Sequence, residues 1–154
     1  MFSGCSDKML VEPVVKKEVS SLKQIKAHII GKKSFLPDSI VQDDNSFVSI
    51  DYSINEKYNI NGKDTDVLNL FNPLLILGFP LGDNLLLINS NLKIMKNNVL
   101  MKEYNAKCLH SYTRNIFGNP DFTSMRNECL EEIKNNLNSQ IINHIERGDL
   151  NEAL

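Results

Sequence analysis

Tryptophan is absent from this 154-residue chain, which also carries only seven glycines, five prolines and three cysteines. So little glycine and proline excludes a collagen-like or low-complexity chain. Three cysteines are too few for a dense disulfide scaffold. Neither sign of charge dominates: 17 Lys and Arg against 19 Asp and Glu leave a net charge of -2. A general nucleic-acid binder is thereby disfavoured, because its affinity rests on cations that neutralise phosphates. The densest basic runs, Lys16-Lys17 and Lys32-Lys33, are mere pairs and read as solvated surface. Long apolar runs are missing too. The most apolar stretch, residues 73–82, contains Leu74, Leu75, Ile76, Leu77, Phe79 and Leu81 but is broken by Gly78 and Pro80. It is too short to span a bilayer, which takes about 20 apolar residues.

Catalytic signatures are also missing. The sequence has no Gly-x-Ser-x-Gly, His-Glu-x-x-His or phosphate-binding glycine loop. His28, His110 and His144 stand apart, and the Cys108-x-His110 pair offers two ligands where a structural zinc needs four. The expectation is a non-enzymatic protein with no metal and no cofactor.

What is present describes an ordinary globular domain, 42% hydrophobic and 23% charged. A chain of this length can bury roughly two-thirds of its unfolded surface, enough for a core. Alternation of Ile25, Ala27 and Ile29 with Lys26 and His28 predicts a strand over 24–30. His28 falls on its outer face. Residues 34–45 read as a loop, and 46–54 as a second strand with Val48, Ile50, Tyr52 and Ile54 on one side. Asn61-Gly62 signals a turn, and Asp64, Thr65 or Asp66 would cap a short helix ending near Asn72. The stretch 73–82 then reads either as a buried connection or as an exposed apolar surface for self-association or membrane contact.

A hairpin follows. Leu86, Ile88, Leu92 and Ile94 share one face of residues 85–95, and Lys96-Asn97-Asn98 supplies the turn. On the return strand, 99–112, the inward face is read as Leu100, Tyr104, Ala106 and Cys108. After a loop at 115–121, Phe122, Met125, Cys129, Ile133, Leu137, Ile141 and Ile145 recur at spacings of three and four. They predict one amphipathic helix over 122–147, capped by Asp121 or Thr123 and closed by Gly148, with His144 on its surface. The fold class is α+β: about four antiparallel strands against a long C-terminal helix, with one short additional helix.

The N-terminus supplies a resemblance. Phe2-Ser3-Gly4-Cys5 resembles the lipobox of bacterial envelope lipoproteins, in which small residues precede the cysteine that takes a diacylglycerol. The match covers residues 2–5. A signal peptide has an apolar run of about 7–15 residues ahead of that site, and here only Met1 and Phe2 precede the small pair. Three readings stay open: a shortened chain, a start placed at an internal methionine, and a chance match. Residues 6–21 lack helical or strand period and read as a tether, about 50 Å long when extended. The expected organisation is a lipobox remnant and tether over 1–21 and one α+β domain over 22–154.

The resemblance implies a protein held by fatty acyl chains, palmitate among them, at Cys5, with Ser6 favouring the outer membrane under the enteric sorting rule. It also bears on the odd cysteine count. With Cys5 acylated, Cys108 and Cys129 remain as an inward-facing pair, either a disulfide permitted in the periplasm or two buried free thiols. The expected function is a non-catalytic accessory or scaffold lipoprotein of an envelope assembly, such as a secretion or flagellar apparatus, with protein partners or self-association. The alternative is a periplasmic small-ligand or lipid binder using the apolar stretch 73–82.

Overall fold

The computed structural model describes residues 8–15, 24–60, 82–114 and 121–148. Six strands and one helix occupy them: β1 (Lys8–Glu12), β2 (Ile25–Gly31), β3 (Ile40–Gln42), β4 (Val48–Ile60), β5 (Gly82–Lys96), β6 (Val99–Arg114) and α1 (Phe122–Arg147). The class is α+β. The strands form a single sheet in the order β1-β6-β5-β4-β2-β3.

The long hairpin forms the centre of the sheet. β5 and β6 pair antiparallel from Gly82↔Arg114 to Lys96↔Val99. Asn97 and Asn98, at φ 52° and 63°, make the two-residue turn. Positive φ at both positions matches the turn to the right-handed twist of the flanking strands, and asparagine tolerates it. On the other side of β5, β4 pairs antiparallel over its full length, from Val48↔Lys96 to Ile60↔Asn84. β4 therefore runs six residues past the expected end at Ile54.

Three features depart from the expected sheet. It has six strands rather than about four. It is mixed, because β2 pairs parallel with both β4 and β3. Its first strand, β1, pairs antiparallel with β6 from Lys8↔Ser111 to Glu12↔Lys107, so residues 8–12 belong to the sheet and not to a tether. The expected loop at 34–45 contains β3, which runs beside the first half of β2. The chain then crosses β2 and continues along its other edge as β4. Three hydrogen bonds anchor the crossing: Asp43 N–H to the Ala27 carbonyl (2.9 Å), Ser46 Oγ to the Lys26 carbonyl (2.8 Å) and Asn97 N–H to the Phe47 carbonyl (3.3 Å). The short helix expected before Asn72 lies outside the described residues.

A register shift at Ile94/Met95 revises one assignment. Lys102 stands opposite Ile94, but Leu100 stands opposite Met95, leaving Met101 as the extra residue. A bulge of one residue sends the side chains beyond it to the other face. Leu100, expected inward, is accordingly 52% exposed.

α1 covers one face of the sheet. Asp121 caps it by accepting from the Thr123 N–H (3.0 Å), and Gly148, at φ 84°, closes it with its N–H on the His144 and Ile145 carbonyls. Met125, Cys129, Leu130, Ile133, Leu137, Ile141, Ile142 and Ile145 are buried on its inner stripe. All of these but Met125 and Ile142 meet Ile25, Ala27, Ile29, Ile50, Tyr52, Leu86, Ile88, Leu92, Ile94, Tyr104, Ala106 and Cys108 in one core. Phe35 and Leu36, in the β2–β3 connection, pack against its margin. Tyr52 reaches the same connection, its hydroxyl donating to the Phe35 carbonyl (3.1 Å). Burial pushes its pKa up to about 12.

Gly31 is required where β2 ends. Its φ is 89°, and a Cβ at this position would collide with the Tyr52 carbonyl oxygen. The Gly31→Ala variant is therefore expected to lose about 2 kcal/mol, from left-handed strain and the steric conflict together. Urea unfolding monitored by circular dichroism checks this, and an unchanged midpoint would contradict it.

Candidate functional site

Of the residues singled out in the sequence, Cys108 and Cys129 are brought together. Cys108 projects from β6 toward α1, and Cys129 lies on the buried stripe of α1. Both are fully buried, their Cα atoms are 5.7 Å apart and their sulfurs are joined. This cross-link ties the helix to the strand it covers. Cys5 and the apolar residues Leu74, Leu75, Ile76, Leu77, Phe79 and Leu81 lie outside the described residues.

A polar cluster that the sequence did not reveal sits near the start of α1. Glu56 and Tyr58 stand opposite Ile88 and Leu86, on the face that α1 covers. The strand carries this inward face beyond the edge of the apolar core, so a carboxylate fits there if the helix supplies a cation. Arg126 does so. Its Nε and Nη2 donate to the two Glu56 carboxylate oxygens at 2.6 and 2.5 Å, and the Tyr58 hydroxyl donates to Glu56 Oε2 at 2.7 Å. Lys32 Nζ stands 3.9 Å away. The Tyr58 ring packs on Phe122 with centroids 4.9 Å apart. The Glu56 side chain is only 15% exposed. The Arg126 hydrogen bond, then that from Tyr58, outweigh burial and hold the Glu56 carboxyl below its ordinary value of 4.5.

A depressed carboxyl pKa stabilises the fold above the unfolded-state pKa and ceases to do so as pH falls through the folded one. Wild-type protein is therefore expected to lose about 1–2 kcal/mol more than the Glu56→Gln variant between neutral pH and the region well below 4.5. Urea titrations at both pH values measure the difference, and parallel losses would contradict it.

The other polar groups divide between surface and core. Exposed His28 contacts Asp44 through Nδ1 at 3.3 Å, and Gln42 donates to the same Asp44 oxygen at 3.0 Å. That amide, followed by His28, lowers the Asp44 pKa. His144 is half-buried, with Nδ1 3.1 Å from the Tyr104 hydroxyl, so it belongs to the helix–sheet seam rather than to the surface expected for it. His110 is 4% exposed, on the same face as Cys108, and its Nδ1 has no hydrogen-bond partner. No group of three or more metal-ligating side chains occurs among the described residues.

The face of the sheet away from α1 carries a polar ladder. Asn91 lies between Ser53 and Asn105, while Lys93 lies between Asp51 and Glu103. Asn91 Nδ2 donates to Glu103 and, at 2.8 Å, to Asn105. Asn91 thereby ties together two neighbours on β6, its own cross-strand partner Asn105 and Glu103 from the adjacent row. An open cleft of about 720 Å³ lies where β1 ends, lined by Glu12, Pro13, Val14, Asn89, Asn105 and Lys107 among others. No helix among the described residues is long and apolar enough to cross a membrane. Comparison of the sequence with protein-family models and with curated proteins finds no match.

Proposed function

We propose that this protein is a non-catalytic envelope lipoprotein, anchored to the outer membrane through lipid at Cys5 and serving as an accessory or scaffold component of a periplasmic assembly. The observation that carries the reading is the Cys108–Cys129 bond. Disulfides persist in oxidising compartments, the periplasm among them. The bond also accounts for two of three cysteines and leaves Cys5, in its lipobox-like setting, as the odd thiol. The described residues supply a helix cross-linked to an interior strand, a rigid frame of the kind a scaffold role calls for.

Phase partitioning in detergent tests the anchor. Protein expressed behind a lipoprotein signal is expected in the detergent phase, and the Cys5→Ser variant in the aqueous phase. Aqueous partitioning of both would overturn the reading.

A further inference from the structure

The hairpin turn is an end of the sheet built from described residues. The β5–β6 ladder closes at Lys96↔Val99, and β4 reaches the same row at Val48↔Lys96. Exposed apolar side chains gather there: Phe47 is 81% exposed, Val99 63% and Leu100 52%. The bulge is what brings Leu100 out. In an unbroken ladder it would share the inward face of Tyr104, but the extra residue Met101 turns it, opposite Met95, to the face that α1 leaves uncovered.

This tip is fixed in place. Ser46 Oγ donates to the Lys26 carbonyl (2.8 Å) and accepts from the Val48 N–H (3.1 Å), and the Asn97 N–H donates to the Phe47 carbonyl (3.3 Å). Phe47 is thus presented to solvent on an anchored backbone, so contact with a partner need order no loop. The charges around it are mostly positive. Residues 93–102 carry Lys93, Lys96 and Lys102 and no acid, and exposed Lys26 lies beside Ser46. Lys93 stands between Asp51 and Glu103. The nearby acids already hold partners: Asp44 has His28 and Gln42, Asp43 the Asn45 N–H, and Glu103 the Asn91 amide. Lys26, Lys96 and Phe47 border one open cleft of about 490 Å³, with Asp43 among its other walls.

We propose that this tip docks on an anionic lipid surface, with Phe47, Val99 and Leu100 among the outer acyl carbons and Lys26, Lys96 and Lys102 at the headgroup phosphates. Area and charge select that occupant. Three side chains of this size expose at most a few hundred Å², whereas a stable protein–protein interface takes about 800 Å² from each partner. A second copy of the chain would bring the same lysines and set like charges together. A fluid lipid interface takes up a small apolar tip, and its phosphates attract the lysines beside it. The proposal goes beyond the scaffold reading and does not depend on acylation at Cys5.

The absence of tryptophan allows a direct test. Full-length Cys5→Ser protein, disulfide intact, removes any covalent anchor, so its result is separate from that of phase partitioning. Phe47→Trp, Leu100→Trp and Val14→Trp each place one reporter at an exposed site, Val14 (89% exposed) lying just past the end of β1. The vesicles are phosphatidylglycerol and phosphatidylcholine with brominated phosphatidylcholine, a short-range quencher. At Phe47 and Leu100, emission is expected to fall about twofold or more and shift to the blue, as for a ring buried about 5–10 Å into the interface. At Val14 it is expected to stay unchanged. Lys26→Ala/Lys102→Ala in the Phe47→Trp protein is expected to weaken vesicle binding about tenfold or more, with an unchanged circular dichroism spectrum. Quenching nowhere, or equally at Val14, would overturn the proposal. So would equal binding to vesicles without phosphatidylglycerol, or a blue shift that grows with protein concentration in the absence of vesicles, which would assign the tip to a second copy.

Discussion

Unfolding the protein with its Cys108–Cys129 bond reduced is expected to take roughly 3 kcal/mol less free energy than with the bond intact. The bond closes a sequence separation of 21 residues, and the loss of loop entropy from the denatured chain sets the magnitude. The position adds to the consequence. β6 lies between β1 and β5, and α1 covers it, so the cross-link joins the helix to an interior strand. Without it, α1 is held by its apolar stripe and by polar contacts such as Glu56–Arg126, Lys134–Asp38 (2.8 Å) and Asn138 Oδ1 accepting from the Ser39 N–H (2.8 Å). A Cys108→Ala/Cys129→Ala variant, compared with wild type by urea unfolding, is expected to show a lower midpoint and a steeper denaturant slope. The slope rises because the released chain exposes more surface. Equal midpoints with and without the bond would show that it carries no stability.

Truncating the core at the helix–sheet seam has a still larger expected effect. Leu92 on β5 and Ile133 on α1 are both fully buried, in the same apolar cluster. Either changed to alanine is expected to cost about 3–4 kcal/mol: the transfer free energy of the lost methyl and methylene groups plus the cavity they leave. Against a typical total of about 5–15 kcal/mol, one such loss takes much of the margin. Phe47→Ser is the control. Phe47 is 81% exposed, and its change is expected to stay within about 0.5 kcal/mol. Thermal unfolding followed by circular dichroism ranks the three. A Phe47 effect as large as that at Leu92 would contradict the placement of the core.

These contrasts also show which parts of the structure were legible in the sequence. The β5–β6 hairpin and α1 were readable because each announces itself locally. The alternation of Leu86 to Ile94, the Asn97-Asn98 turn, the spacing of Met125 to Ile145 and the Asp121 and Gly148 caps all lie within a few residues of what they specify. The disulfide was readable as a candidate because Cys108 falls on the inward face of the strand and Cys129 on the inward stripe of the helix. β1 was not readable. Five residues, Lys8–Glu12, are too short for a periodic signal, and their pairing depends on β6, a hundred residues later. β3 is shorter still. The parallel pairing of β2 with β4 leaves no mark on either strand, since strand direction is decided by the route of the chain between them. The Glu56–Arg126 pair spans 70 residues and was invisible for the same reason. The shift at Ile94/Met95 reversed Leu100 because alternation assumes an unbroken ladder.

Together these elements describe an oxidised domain whose odd cysteine lies just ahead of its first strand. The most direct measurement on that account is the intact mass of native protein from cell envelopes, with and without reductant. The account predicts a diacyl or triacyl adduct at Cys5 and, on reduction, a gain of about two mass units from the Cys108–Cys129 pair. An unmodified chain starting at Met1 in the soluble fraction, with no mass change on reduction, would contradict it.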